Sequence, residues 1–347
     1  MIKLLKPLKR VLPASTIPVL DAAYARVRGR LVPRPCREPV QTEPAGGPPV
    51  ELLIATASGL LHARRGELCR ILKGYVYGLS IHKGRWWAFR RISERSGQLI
   101  SFELNGDKVR DVRCEFTGLD PEVHQIDFIG SDLYATDTAL NRVMVFDISG
   151  RRTRLVRTAY PAGRTRRTSG GAEYVHLNSV YQADDRTYLV FHNQSRKTGK
   201  PSEVAILDEN LQLVERREIN GKCAHNVALW RDELIVCDSL GGTVLIGSQT
   251  MPLGAFTRGL AIVDDHAFVG GSNFAGRTHR HEGDGNLFHL DLSSAKLLSQ
   301  WTLKDVGSVY EIRAVAACDQ GMSNSPRAAP VEDGTAAEHF QPAMAAQ

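Results

Sequence analysis

Five residues of the kinds that hold metals and anions recur along this chain at a near-constant interval. His124, His176 and His225 are separated by 52 and 49 residues, Arg258 follows after 33 and Glu311 after a further 53. Gly78 stands 46 residues before His124 in a matching context. Each sits at the front of a short apolar run: "GLSIHKG", "VHQIDFIG", "VHLNSVYQ", "AHNVALW", "TRGLAIVD" and "YEIRAVAAC". Histidine is 11 of 347 residues, so chance alone would place well under one at six matched positions.

Neutral imidazoles with a carboxylate suit zinc, iron(II) or manganese, and the residue types do not choose among them. His124, His176, His225 and Glu311 are therefore candidate ligands of a divalent metal. A polar, water-filled or ligand-binding channel explains the same residues without a metal. Glu311 doubles as a candidate general base. Tyr310 is its neighbour and rival, because a one-residue slip turns a strand side chain to the other face. Arg258 would repel a metal at contact distance. It is better suited to clamp a carboxylate or phosphate through two parallel hydrogen bonds. Asp127, Asn178 and Asn226 follow the leading histidines closely. They are placed either to orient imidazoles and contact substrate or to cap turns.

What must bring such distant residues together is the repeat itself. Behind each leading residue come further short runs rich in Val, Ile, Leu and aromatics, bounded by Gly, Asp or Asn. Four short strands per unit at a period of roughly 40–50 residues is the pattern of a β-propeller, in which the first strand of every blade lines a central axis. Five blades are complete. The sixth is split: "YEIRAVAAC" has no partners after it, and residues 51–72 ("ELLIAT", "GLLHAR", "ELCRIL") have no inner strand before them. The reading is an all-β six-bladed propeller over 51–317. Residues 51–72 would close the ring on the strand near 310–317, which removes two open sheet edges.

Residues 1–50 read as a basic arm followed by a Pro-rich linker, and 318–347 as a disordered tail. Lys6, Lys9 and Arg10 interrupt the apolar start, which makes a poor secretory signal, and Pro7, Pro13 and Pro18 oppose a long helix. The arm could still touch an anionic membrane surface weakly. Six cysteines show no CxxC and no metal spacing. No apolar run approaches the length of a membrane span, so a cytoplasmic location is expected. Net charge is +6, from 44 Lys and Arg against 38 Asp and Glu. Arg151, Arg152, Arg154, Arg157, Arg164, Arg166 and Arg167 cluster in one stretch. No nucleic-acid motif or aromatic interleaving accompanies them, so a solvated loop is preferred to a nucleic-acid surface. A second charged stretch, "SNFAGRTHRHEGDGN" at 272–286, brings Arg277, His279 and His281. It reads either as a mobile hairpin tip or as a substrate-contacting loop over the channel mouth.

The stretches "VHQID…DLYATDT", "VHLNSV", "AHNVALWRDELIVCDSLGGTV" and "FTRGLAIVDDHAFVGGSN" resemble an incompletely characterised group of bacterial six-bladed propellers with a domain of unknown function. The resemblance covers about residues 120–315. It implies the fold and carries over His124, His176, His225 and Arg258, but it says little about chemistry. A looser similarity is to gluconolactonase and strictosidine-synthase-like propellers. Those that bind metal use Glu, Asn and Asp, so histidines here speak against a calcium lactonase. The leading expectation is a metal-dependent enzyme acting on an anionic small molecule or sugar derivative. A binding or scaffold propeller is the alternative. Neither a nucleophile elbow nor a phosphate-binding Gly loop occurs, and repeated Trp-Asp or kelch signatures are also absent.

Overall fold

The computed structural model describes residues 32–165, 174–276 and 279–315. The basic arm, the segment 166–173, Arg277 and the tail from 316 lie outside them. The described residues form six antiparallel sheets arranged as a six-bladed propeller. The inner strands are β6 (Tyr75–His82), β10 (Val123–Ile129), β14 (Leu177–Ala183), β18 (His225–Trp230), β22 (Phe256–Val263) and β26 (Val309–Ala314). Blades 1 to 5 each run outward in chain order from one of the first five.

Blade 6 closes the ring as the split repeat implied. β26 pairs antiparallel with β3 (Leu52–Thr56), Glu311 opposite Ala55 and Ile312 opposite Ile54. The segment 33–50, read as a linker, contains two short strands. β1 (Pro35–Pro39) adds to the outer edge of blade 6, and β2 (Thr42–Glu43) adds to the outer edge of blade 5. Proline is tolerated on an edge strand because the edge needs no inward N–H from it. Ion pairs of Arg37 with Glu67 and of Glu38 with Arg70 and Lys73 hold β1 in place.

The interior is five apolar clusters packed between blades, with no single central core. Each inner strand presents one apolar side chain to the blade before it: Leu79, Ile126, Val180, Val227, Leu260 and Ile312. Near the axis the strands approach closely. A Cβ on Gly78 would lie 2.6 Å from the Ile126 backbone nitrogen, so glycine is required there. No helix among the described residues is long and apolar enough to cross a membrane. Of the arginine cluster, Arg154 pairs with Asp147, Arg157 donates to the Tyr134 hydroxyl and Arg164 lies over the Tyr160 ring.

Candidate functional site

The apolar residues just named set the register at the axis. Two positions before them stand Tyr77, His124, Asn178, His225, Arg258 and Tyr310, and these six line one cavity. One position before them stand Gly78, Gln125, Ser179, Asn226, Gly259 and Glu311, of which Gln125, Ser179, Asn226 and Glu311 line the same cavity. His124, His225 and Arg258 thus share a register as expected. Gly78 and Glu311 are one residue late, which puts Tyr310 in the place expected for Glu311. His176 is two residues early. Every inner strand carries a bulge at this level, so the extra residue is common to all six blades and the apolar residue after it keeps the register.

His176 nevertheless joins the group, because a positive φ of 53° turns its backbone. Ring centroids lie 5.4 Å apart for His124 and His176, 4.4 Å for His176 and His192, 5.3 Å for His192 and His225, and 6.1 Å for His225 and His124. His192 was not anticipated from the sequence. It lies one residue past the second strand of blade 3 (Arg186–Phe191), at the level of Thr138 in blade 2 and Ser239 in blade 4. It accepts the backbone N–H of Gln194, much as Asp137 and Asp238, one register position earlier, accept those of Leu140 and Gly241. The available signal was a His where the neighbouring blades carry the hydroxyls Thr138 and Ser239, which contact the axial histidines.

The rest of the collar is aromatic. Tyr77 and Tyr310 stack at 4.1 Å, and Tyr77 lies 5.8 Å from His124. The Arg258 guanidinium lies over Phe256 at 5.1 Å and Tyr310 at 5.8 Å. Such contacts offset part of the cost of burying the charge.

Hydrogen bonds fix the imidazole tautomers. A carbonyl oxygen only accepts, so the 2.8 Å contact of His124 Nδ1 with the Glu122 carbonyl puts the proton on Nδ1. Ser239 Oγ gives its one proton to the Thr257 carbonyl at 2.6 Å. It must therefore accept from His225 Nδ1 at 2.8 Å. Nε2 is the lone-pair nitrogen in both rings, and that of His225 is buried without a hydrogen-bond partner. His192 is the reverse: Nδ1 accepts the Gln194 N–H at 3.0 Å, so Nε2 carries the proton. Burial first, then Arg258, hold His225 well below the usual histidine range, and His192 is pushed down to about 3 by burial, Arg258 and Arg280. Both are neutral at neutral pH. Ser239→Ala would leave Nδ1–H of His225 without an acceptor. The expected loss is about 1–3 kcal/mol of stability, with a change in the tautomer pattern read from imidazole 15N shifts.

Asn178 and Asn226 neither orient imidazoles nor cap turns. Asn178 Nδ2 donates to the Ala224 carbonyl at 2.8 Å. Asn226 accepts the Gly259 N–H at 2.8 Å and donates to both Glu311 carboxylate oxygens at 3.3 and 3.2 Å. They staple neighbouring inner strands together. Asp127 accepts from the Ser80 hydroxyl at 2.7 Å and faces Arg313 at 3.6 Å. Arg313 also faces Glu311 at 3.7 Å. Two buried carboxylates thus share one guanidinium. Burial raises both, and Glu311 is pushed up to about 7, with Arg313 opposing.

Arg258 is 7% exposed and its Nε has no hydrogen-bond partner. Burial, then Arg280, lower it to about 9, so it remains a cation at neutral pH. Among the described residues no carboxylate pairs with it. Tyr310 Oη and Gln125 Nε2 are likewise buried without partners. Four orphaned polar atoms therefore surround one cavity of about 10 Å³, room for roughly one water-sized sphere. The loop histidines are elsewhere. His279 and His281 are exposed and pair with Glu282 at 3.1 and 3.8 Å.

For a metal the fit is partial. His124 and His225 have Nδ1–H anchored, as ligating imidazoles do, and Nε2 of His225 is buried without a hydrogen-bond partner. Yet among the described residues no group of three or more His, Cys, Asp or Glu side chains is gathered to hold an ion, and a buried cation stands in the same collar.

No family model and no curated protein matches the sequence. Solved structures do. A crystal structure of a nidogen/laminin complex is 12% identical, covers 76% of this chain and 97% of that chain, and has a TM-score of 0.54. A protein of unknown function from Bacteroides caccae is 11% identical over 77% of this chain and 98% of that one, with a TM-score of 0.53. A protein from Lactobacillus plantarum is 11% identical over 76% and 98%, with a TM-score of 0.51. The chain is thus similar in fold to other propellers, and at such identities the likeness speaks for the fold alone.

Proposed function

We propose that the axial cavity binds the anionic group of a small molecule on Arg258 and carries out proton transfer on it. The observation that supports this reading is the buried Arg258 cation with no carboxylate partner. An isolated buried charge is costly, and an anionic ligand supplies the missing partner. The surrounding atoms fit a polar substrate: Gln125 offers an N–H, His225 an acceptor and Tyr310 a hydroxyl. Glu311 lines the same cavity with a pKa of about 7, where a general acid or base works best. In this reading Arg258 is the clamp, Glu311 the proton acceptor and Tyr310 a donor to developing charge. Calorimetric titration with acetate tests it: binding to the wild type and its loss in Arg258→Met are expected, and no binding by the wild type would refute it.

The second reading adds a divalent metal on His124, His176 and His225, favoured by the anchored Nδ1–H of His124 and His225, which makes Nε2 the lone-pair nitrogen in both rings. Bound there, zinc, iron or manganese would polarise a substrate oxygen. Metal analysis of untagged protein decides it. About one equivalent, lost in His225→Ala, is the outcome this reading requires, and no metal after reconstitution would end it.

A further inference from the structure

Arg258 also borders a second cavity of about 10 Å³. Its walls include Phe256, Ser272, Phe274, Arg280 and Ser308. Arg280 comes from the loop expected to contact substrate, and its backbone carbonyl is held by the Ser308 N–H at 2.8 Å. Its Nε makes a long contact of 3.5 Å with the Ala275 carbonyl. Among the described residues no carboxylate pairs with either guanidinium. Two like charges therefore border one small cavity, and one of them is buried with an unsatisfied Nε. Ser272 Oγ accepts the Val309 N–H at 2.9 Å, which leaves its own proton to give. Both guanidiniums and the Ser272 hydroxyl can donate into the cavity.

We infer that this cavity seats a dianionic group, a phosphate monoester, between Arg258 and Arg280, with the rest of the molecule reaching the axial cavity. The inference rests on the anion reading of Arg258 and adds a second charge to it. A phosphate offers three equivalent acceptors, and two guanidiniums with a hydroxyl match that number. A phosphate is larger than the present space. Arg280 projects from a surface turn, so its long side chain can swing aside to admit the group.

Titration of the full chain with inorganic phosphate and with acetate at pH 8 tests it. Phosphate should bind at least about tenfold more tightly than acetate, the equivalent of one added charge-assisted hydrogen bond. Arg280→Gln should remove that preference, with acetate still bound through Arg258. Arg280 is half-buried and makes one long side-chain hydrogen bond, so the variant should fold. Acetate binding with no phosphate preference, or a preference that survives Arg280→Gln, would overturn the dianion seat and leave the Arg258 reading standing. Binding of neither anion would remove both.

Discussion

Arg258→Met is expected to raise the melting temperature while abolishing anion binding. The two effects have one cause. In the unliganded protein the Arg258 charge is buried against Phe256 and Tyr310 with no carboxylate beside it. Replacing a buried charge by an apolar side chain of similar length is commonly neutral or stabilising by about 1–4 kcal/mol. For a domain of this size each kcal/mol moves the midpoint by roughly 2–4 °C. Loss of binding with a gain of stability marks a site held under strain for function. Thermal unfolding with and without acetate reads both. If Arg258→Met lowered the midpoint by several degrees, the arginine would be structural.

Glu311→Gln should change how stability varies with pH. Glu311 has a folded pKa of about 7 against an ordinary 4.5. Between those values the folded protein holds a proton that the unfolded chain has lost. Its contribution is fully present below pH 4.5 and is lost as pH rises through 7. The size is up to about 3 kcal/mol, from 1.36 kcal/mol per pH unit. The buried neutral histidines act oppositely: His192 and His225 favour folding more as pH rises to 6.5, because the unfolded rings no longer bind protons. The two trends overlap, so the wild-type curve alone is uninformative. The difference between Glu311→Gln and wild type isolates the carboxyl, since glutamine still accepts from Asn226. That difference should be near its baseline at pH 4.5 and favour the variant by about 3 kcal/mol above pH 7.5. Denaturant unfolding across this range measures it, and a difference constant with pH would place Glu311 at an ordinary pKa.

The ring of six blades was readable because the repeat is a property of apolar runs, and packing between blades demands those runs. Ring closure followed from two incomplete ends that fit each other. The linker strands β1 and β2 were not readable. Proline-rich edge segments lack the alternation of a central strand, and their pairing depends on charged contacts such as Glu38 with Arg70. At the axis, choosing matched positions by residue type succeeded for His124, His225 and Arg258. It misplaced His176 and Glu311, because residue type alone does not fix register; a positive φ brings His176 to the collar from two residues early. Matching by apolar face, from Leu79 to Ile312, gives the register at once. His192 and Ser239 lie just past the ends of second strands, so a search confined to leading residues passed over them. Arg280 was visible as a charge in a loop, but nothing in sequence showed that the loop returns to Arg258.

The most direct test of an anion site at Arg258 is anomalous diffraction from crystals soaked in bromide and, separately, in zinc. Bromide is a compact anion and reports charge preference without any assumption about substrate. The account predicts a bromide peak beside the Arg258 guanidinium, lost in Arg258→Met. A zinc peak among His124, His176 and His225 with no bromide at Arg258 would contradict it.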